Sequence, residues 1–462
     1  MYKRQVYKEV EEPDWLDDRG WIKETIYNLG GSLTLQERRW LLVRSDVESS
    51  LPYFKLLPKV HKSPVLGRPI VPSFDTFYTN ASIWVAEKLK VIIKDYPWIL
   101  KDTTTFLQTL PMKYNSIGSP DPEEDIWLIS GDVEAMYPSI PTDWGLECMA
   151  NILKRSSLPI ETITLVLKLL EKILRNNYFT FMGKYYLQVK GTAMGTSCAP
   201  MYANLVMAEA EYTGTSQTNS GQGQNIKYYG RYLDDIFVVV RGNKDSPQNF
   251  IDNFESEHSN FKFTWNVSKS SMTFLDVEVV TAKVKDNIQL LTKTYQKPMN
   301  AYQYIPWSSY HPLHVKKAWI KAELLRHVRN CSELNSFLEI RKKFYLRLRA
   351  RGYPHGFLNK VFLTVDYQNT RAFTLTGKTE CTPTEKDKVE TLIFKSTYNP
   401  LWEGTNMKTV WDAILTTWES LEFLPTNTRV IHSQSKPPAL GDLFNRKNKE
   451  TIERFKDNIV NS

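Results

Sequence analysis

Lys227-Tyr-Tyr-Gly-Arg-Tyr-Leu-Asp-Asp-Ile-Phe-Val-Val-Val-Arg241 sets two adjacent acids, Asp234 and Asp235, between two short apolar and aromatic runs. Runs of that composition read as paired strands, with Tyr232 to Asp235 at the tip of a hairpin. Two carboxylates side by side repel each other, and apolar flanks solvate them poorly. A divalent cation removes that cost. An isolated Asp-Asp pair in a turn carries no such implication. A third acid far upstream, in a matching setting, supplies it.

That acid is Asp132, in Ile126-Trp-Leu-Ile-Ser-Gly-Asp132-Val-Glu-Ala-Met-Tyr137. The run reads as a buried strand that delivers a carboxylate at its C-terminal end. By itself Asp132 also suits a helix cap or a turn, since Pro138 follows closely. Two strands that each present acids at an edge suit two hard cations, which favour oxygen ligands. Two such ions stabilise the attacking and leaving oxygens of an in-line phosphoryl displacement.

Between these acids lies Gly191-Thr-Ala-Met-Gly195-Thr-Ser-Cys-Ala-Pro200-Met-Tyr-Ala-Asn204. Its glycines allow close backbone approach to a ligand. The small residues from Thr196 to Ala199 open a helix expected to run to about Glu211. Such a loop suits contact with a nucleotide base and sugar. The polar stretch Gly214–Gln224 then reads as a surface loop. Upstream, Leu51-Pro-Tyr-Phe-Lys-Leu-Leu-Pro-Lys59-Val-His61-Lys62 and Gly67-Arg68-Pro69-Ile70-Val71 alternate basic and apolar residues on two extended segments. Cations on a hairpin that folds over a site suit a triphosphate, which Arg grips as a fork. The plainer alternative is a surface hairpin with solubilising charges.

The 462 residues are 42% hydrophobic and 24% charged, enough for a core shared among about two to four packed subdomains. The net charge of +8 is uneven: Leu313 to Lys360 holds twelve Lys/Arg against three Glu, a local +9, which leaves the remainder near −1. A basic stripe in one stretch points to a polyanionic partner. Cys148, Cys198, Cys331 and Cys381 are scattered, which indicates neither zinc nor a disulfide framework and fits a reducing compartment. No apolar run reaches the roughly 18–20 residues of a membrane span. The N-terminus is no secretory signal.

Asp132-x4-Tyr137, the Gly191–Asn204 stretch and Tyr232-Leu-Asp-Asp235 together resemble motifs A, B and C of a reverse transcriptase palm, in that order. The Pro52–Val71 stretch resembles fingers motifs 1 and 2 of the Penelope-like element reverse transcriptases, whose pattern reads roughly LPKxHK…RPIV. Met194, where many reverse transcriptases carry Gln, is also what Penelope-like enzymes resemble. The resemblance extends through Leu392-Ile-Phe-Lys-Ser-Thr-Tyr398-Asn-Pro400, Trp411 and Trp418 to Pro438-Ala-Leu-Gly-Asp-Leu-Phe444.

The resemblance implies an α+β right-hand polymerase with an antiparallel palm sheet and a helical C-terminal extension. Its parts would be an N-terminal extension (1–50), fingers (51–130), palm (131–285, with helices in 143–176), thumb (286–360) and C-terminal extension (361–462). It implies an RNA-directed DNA polymerase that extends a DNA or RNA primer on an RNA template with dNTPs. Asp132, Asp234 and Asp235, with the Val133 main chain, would hold two Mg²⁺ ions, for which Mn²⁺ could substitute. Arg68 and Lys59 would contact the triphosphate. Met194 and Gly195 would contact the nucleotide, and Tyr137 would be the steric gate that leaves no room for a 2′-hydroxyl.

Lys316, Lys317, Arg326, Arg329, Arg347 and Arg351 would grip duplex phosphates from the thumb, with strong salt dependence. Lys269, in the motif D region, is a candidate general acid for the pyrophosphate leaving group; the plainer alternative is an exposed turn lysine. Asp276 reads as structural. A nuclear location follows from the family alone. The GIY-YIG endonuclease that many members add downstream is not expected, since the sequence runs to Ser462 without one. Two other classes stand beside this reading. One is a domesticated, non-catalytic nucleic-acid binder. The other is an RNA-dependent RNA polymerase, against which Tyr137 argues.

Overall fold

The computed structural model describes residues 6–13, 15–43, 51–59, 66–74, 76–114, 125–218, 225–284, 287–376, 391–398, 413, 416–417 and 429–435. They fall into two compact units, one within Met1–Ala301 and Arg329–Phe337, the other within Tyr302–Val328 and Leu338–Ser462.

In the first unit the strands run, in chain order, β1 (Tyr7–Val10), β2 (Lys55–Lys59), β3 (Leu66–Ile70), β4 (Asp125–Val133), β5 (Tyr178–Phe181), β6 (Lys184–Gln188), β7 (Asn225–Tyr232), β8 (Asp235–Gly242), β9 (Phe263–Ser268), β10 (Ser271–Phe274), β11 (Val277–Val284) and β12 (Asn287–Thr294). The central sheet is antiparallel and four-stranded, in the order β7-β8-β4-β9. Ile236 to Val240 of β8 are buried without a break, because both faces of the strand are covered. Ile236, Val238 and Val240 enter the main core with the helices. Phe237 points the other way by strand alternation. It meets Phe106 and Phe274 with ring centroids 5.3 Å away in both cases.

The helix Ile160–Arg175 is the main scaffold behind the sheet. It buries Ile163, Val166, Leu169, Leu170, Ile173 and Leu174, the three-to-four spacing of an amphipathic face. Glu161 in its first turn and Lys172 and Arg175 in its last suit the helix dipole.

Three two-residue hairpins share one solution to chain reversal. Met182 and Gly183 join β5 to β6, both with positive φ (51° and 77°), as a type I′ turn requires. Leu233–Asp234 joins β7 to β8 and Leu275–Asp276 joins β10 to β11, the leucine taking φ 53° and 55° respectively.

Several expectations shift. β12 was expected at the start of the thumb, but it pairs along its whole length with β11 and belongs to the first unit. The helix Ala199–Thr218 continues past Glu211. Residues 214–218 of the polar stretch are therefore helical, since elongating an established helix is easier than nucleating one. Residues 219–224 lie outside those described.

The second unit holds the helices His355–Phe362 and Tyr367–Thr376 and most of Leu313–Asn330 and of Leu334–Ala350. Its core is aromatic: Tyr304 stacks on Trp319 at 5.5 Å and Phe344 on Phe362 at 5.8 Å between centroids. The C-terminal extension, expected to be helical, contains a parallel strand pair, β13 (Thr391–Thr397) with β14 (Arg429–Ser435). Lys62, Cys381, Trp411, Trp418 and Pro438–Phe444 lie outside the described residues.

Candidate active site

Strand register brings the three acids together. β4 and β8 pair so that Asp132 faces Asp235 directly. Opposed residues of an antiparallel pair project on the same side with Cβ atoms about 5 Å apart. That side is the one away from the helical core, since Ile129 and Val133 on β4 and Ile236 on β8 fill the core. Asp234 occupies the turn between β7 and β8, and its carbonyl accepts the Val133 N–H at 2.9 Å. The tip of one hairpin is thus stitched to the end of the neighbouring strand.

Burial raises the Asp235 pKa most, the charges of Asp234 and Asp132 raise it further, and Lys297 opposes them, leaving it at about 6. Among the described residues no three or more His, Cys, Asp or Glu side chains close into a metal-holding group. The donor set still suits a hard divalent cation. All its donors are oxygen, two carboxylates oppose each other across a ladder, and the repulsion that pushes Asp235 up is one a cation relieves. Lys297, beyond β12, is a cation that sequence reasoning did not assign to this site.

After Asp132 the chain turns sharply. Ala135 takes φ 49° and the short helix Met136–Ser139 follows. This presents half-buried Tyr137. Burial, Asp234 and Tyr232 raise its phenol pKa and Arg68 lowers it, so the ring lies within electrostatic reach of both Asp234 and the β2–β3 hairpin. Arg68 is exposed on β3, opposite Leu57 on β2. The Lys59 main chain closes the same hairpin opposite Leu66.

The glycine loop is built against this turn. Thr192 N–H donates to the Tyr137 carbonyl at 3.0 Å. Gly191 has φ +73°, and a Cβ there would stand 2.1 Å from that same oxygen. On its other side the loop pairs with the chain leaving β3: Val71 N–H donates to Met194 O at 2.8 Å and Ser73 N–H to Gly195 O at 3.2 Å. A Cβ on Gly195 would meet Val71 O at 2.3 Å. Asp132, Asp234, Asp235, Tyr137, Met194 and Gly195 are therefore joined by main-chain bonds, with Arg68 beside them.

Sequence reasoning missed Arg231, a fully buried cation one strand position before the tip, paired with Glu211 Oε1 at 2.6 Å. A charge in a strand reads as solvent-facing; the only signal was its place inside an otherwise apolar and aromatic hairpin.

Lys269 is a correction. It pairs with Asp125 at 2.5 Å and covers the Trp127 ring at 4.4 Å. Asp125 begins the strand that carries Asp132 at its far end, so Lys269 lies roughly 20 Å along β4 from the acids and cannot protonate a leaving group there. Asp276 is structural as expected, accepting from Thr103 Oγ1 at 2.6 Å and Asn330 Nδ2 at 2.9 Å.

The basic stretch is also redistributed. Lys316 is buried and donates to Trp307 O at 2.8 Å. Arg326 forks onto Glu323 at 2.9 and 2.6 Å. Arg347 lies 3.6 Å from the Tyr302 ring centroid, and Arg351 Nε donates to Tyr304 O at 2.8 Å. Lys316 is thus buried and the three arginines are half-buried, each engaged by the chain's own groups. Half-buried Arg329 belongs to the first unit. Lys317, Lys321, Lys342 and Lys343 are exposed. The last three were not assigned, although helical spacing could have separated them from the inward set.

Residues 87–304 match the reverse transcriptase (RNA-dependent DNA polymerase) family, and residues 303–363 match the animal helix-turn-helix domain. No curated protein matches the sequence. Among solved structures, telomerase from Candida albicans in complex with a TWJ fragment of telomeric RNA is similar at 12% identity, covering 77% of this chain and 62% of that one, with a TM-score of 0.47. Apo telomerase from Candida tropicalis is similar at 11% identity, covering 80% and 61%, with a TM-score of 0.45. The BmCPV RNA-dependent RNA polymerase at its elongation state follows at 12%, covering 71% and 29%, with a TM-score of 0.42. The chain spans about six-tenths of the length of these telomerases. The described residues form an α+β fold around an antiparallel four-stranded sheet, and the part of the chain that matches the reverse transcriptase family, residues 87–304, contains Asp132, Tyr137, Met194, Gly195, Asp234 and Asp235. No helix among the described residues is long and apolar enough to cross a membrane.

Proposed function

We propose that this chain is the RNA-directed DNA polymerase of a Penelope-like retroelement, extending a primer 3′-hydroxyl with dNTPs on an RNA template. The observation that carries the reading is Asp132 opposite Asp235, with Asp234 at the adjoining turn, inside the segment that matches reverse transcriptases. Two Mg²⁺ ions held by these acids and the Val133 main chain would neutralise charge on the attacking and leaving oxygens. The protein's own task is positioning. Arg68 grips the triphosphate from the fingers, joined by Lys59. Met194 and Gly195 present main chain beside the nucleotide, and the Tyr137 ring lies under its sugar. The exposed lysines of the second unit bind the duplex by charge. A nuclear site of action belongs to the same reading and rests on the family resemblance alone.

The test is extension of a primer annealed to RNA, with dNTPs and Mg²⁺. Extension supports the polymerase; a folded protein that retards the primer–template yet adds nothing makes it a binding module. Tyr137→Ala tests the gate. Removing the ring should relax discrimination against ribonucleotides by about 10- to 200-fold, read as the ratio of kcat/KM for matched dNTP and NTP. Unchanged discrimination sinks the gate.

The lysines give a separate test. Lys342→Ala with Lys343→Ala should lower the slope of log affinity against log salt by about 2. Lys316→Ala should leave that slope alone and lower thermal stability instead. The opposite pattern returns Lys316 to the duplex.

A further inference from the structure

We infer that Arg231 is a positioning residue, which fixes the acid-bearing hairpin from the core side and ties it to the helix that follows the glycine loop. For its catalytic consequence this rests on the polymerase reading. Register places Arg231 opposite Ile236 on β8, so its side chain enters the core face, whereas Asp235 is opposite Tyr232 and points to the other.

All five N–H donors of the guanidinium are engaged. Nε and Nη2 fork onto Glu211 at 2.6 and 2.9 Å. Nη2 also reaches Asn204 O at 3.1 Å, and Nη1 reaches Asn204 Oδ1 at 2.5 Å. The fifth bond goes from Nη1 to Leu233 O at 3.0 Å. Leu233 is the positive-φ residue immediately before Asp234, so this bond holds the peptide that leads into the acid.

Glu211 is equally saturated. Beyond the Arg231 fork it accepts from Trp98 Nε1 at 2.6 Å and from the Tyr229 hydroxyl. The Arg231 main chain is held too, donating to Trp98 O at 2.9 Å and accepting from Leu100 N–H at 2.7 Å.

A fully buried ion pair is weak evidence for stability, because desolvation offsets its attraction; its best-attested use is to fix one arrangement. Here the fixed arrangement includes a non-glycine residue with positive φ, a conformation that persists only where its surroundings over-determine it. Lysine, with three donors and no fork, cannot replace this shell.

Arg231→Lys keeps the charge opposite Glu211 and loses the bond to Leu233. Hydrogen exchange should quicken across residues 230–236 and stay unchanged in the helix Ile160–Arg175. Half-saturation by Mn²⁺, read from free-ion electron paramagnetic resonance without substrate, should rise about tenfold. In primer extension kcat should fall about 100-fold while KM for dNTP stays within twofold. A folded Arg231→Lys protein with wild-type exchange in the hairpin and wild-type Mn²⁺ binding overturns the inference and leaves Arg231 a core ion pair. Asn204→Ala removes one acceptor, spares the ion pair and guards against a variant that does not fold. It should quicken the same amides, and wild-type exchange there is again an overturning result. Should the wild type show neither extension nor Mn²⁺ binding that Asp234→Ala abolishes, the polymerase reading falls, while hairpin exchange still decides the role of Arg231.

Discussion

Asp234→Ala should abolish primer extension, by on the order of 10⁴-fold in kcat, without unfolding the protein or preventing it from retarding a primer–template. Asp234 is half-buried at a turn and contributes its carbonyl, not its carboxylate, to the stitch with Val133. The substitution therefore leaves the β4–β8 ladder intact and removes one of three charges. Single-turnover extension on an RNA template measures it; residual activity within tenfold of wild type removes Asp234 from the chemistry. A second reading needs no substrate. Asp235 rises from an ordinary 3.8 to about 6, partly through Asp234. A carboxylate raised in the folded state contributes stability that is present below the unfolded value and lost as pH rises through the folded one. Metal-free protein should lose about 1–2 kcal/mol between pH 4 and pH 7 from this group, discounted for its partial exposure. Asp234→Ala should lose less, as urea unfolding across that range would report.

Gly191→Ala carries the second large effect. The new Cβ would lie 2.1 Å from Tyr137 O, 2.6 Å from Pro138 Cα and 2.9 Å from Pro138 C. These are main-chain atoms that cannot swing aside, and φ +73° adds strain of its own. Together they should cost about 3 kcal/mol. Relief must come by moving the turn that carries Tyr137, so kcat should fall about 100-fold in the protein that remains folded. Gly183→Ala is the control. Its φ is +77° but nothing lies within 4 Å of the added carbon, so it should lose only the conformational share, about 1 kcal/mol. Equal losses from the two variants, measured by chemical denaturation, would show that the contact with Tyr137 is not rigid.

The acids were legible because strand-forming residues on either side of Asp234 and Asp235 leave a tight hairpin as the economical reading. Their meeting with Asp132 was legible only through motif order. Register is a tertiary quantity, and a slip of one residue would have put Asp132 and Asp235 on opposite faces. The glycine loop was read as an approach to a ligand. Its glycines in fact admit Tyr137 O and Val71 O, two stretches of the chain's own backbone that sequence does not bring together. Long basic side chains misled most. Lys316 and Arg231 are charges turned inward, and a charge in a sequence is read as solvated until the groups that satisfy it are known. Of the two readings of Lys269 the plainer one, an exposed turn lysine, fits: it follows β9 at the end away from the acids. β12 falls in the range 286–360 that the resemblance gave to the thumb, yet it pairs with β11 along its whole length, and motif order carries no information about pairing.

The joints of Val71 to Met194, of Ser73 to Gly195 and of Tyr137 to Thr192 are made by main-chain atoms, with one side-chain bond, Ser73 Oγ to Thr196 Oγ1 at 3.2 Å, added beside them. The main-chain joint is indifferent to the side chain at half-buried Met194, whereas Val71 and Thr192 are buried and Ser73 is bonded through its hydroxyl. A chain assembled this way can exchange residue 194, and so retune what the loop presents, without rebuilding the frame that holds it. Gly191 and Gly195, which carry no side chain to vary, mark the fixed points about which that drift can occur.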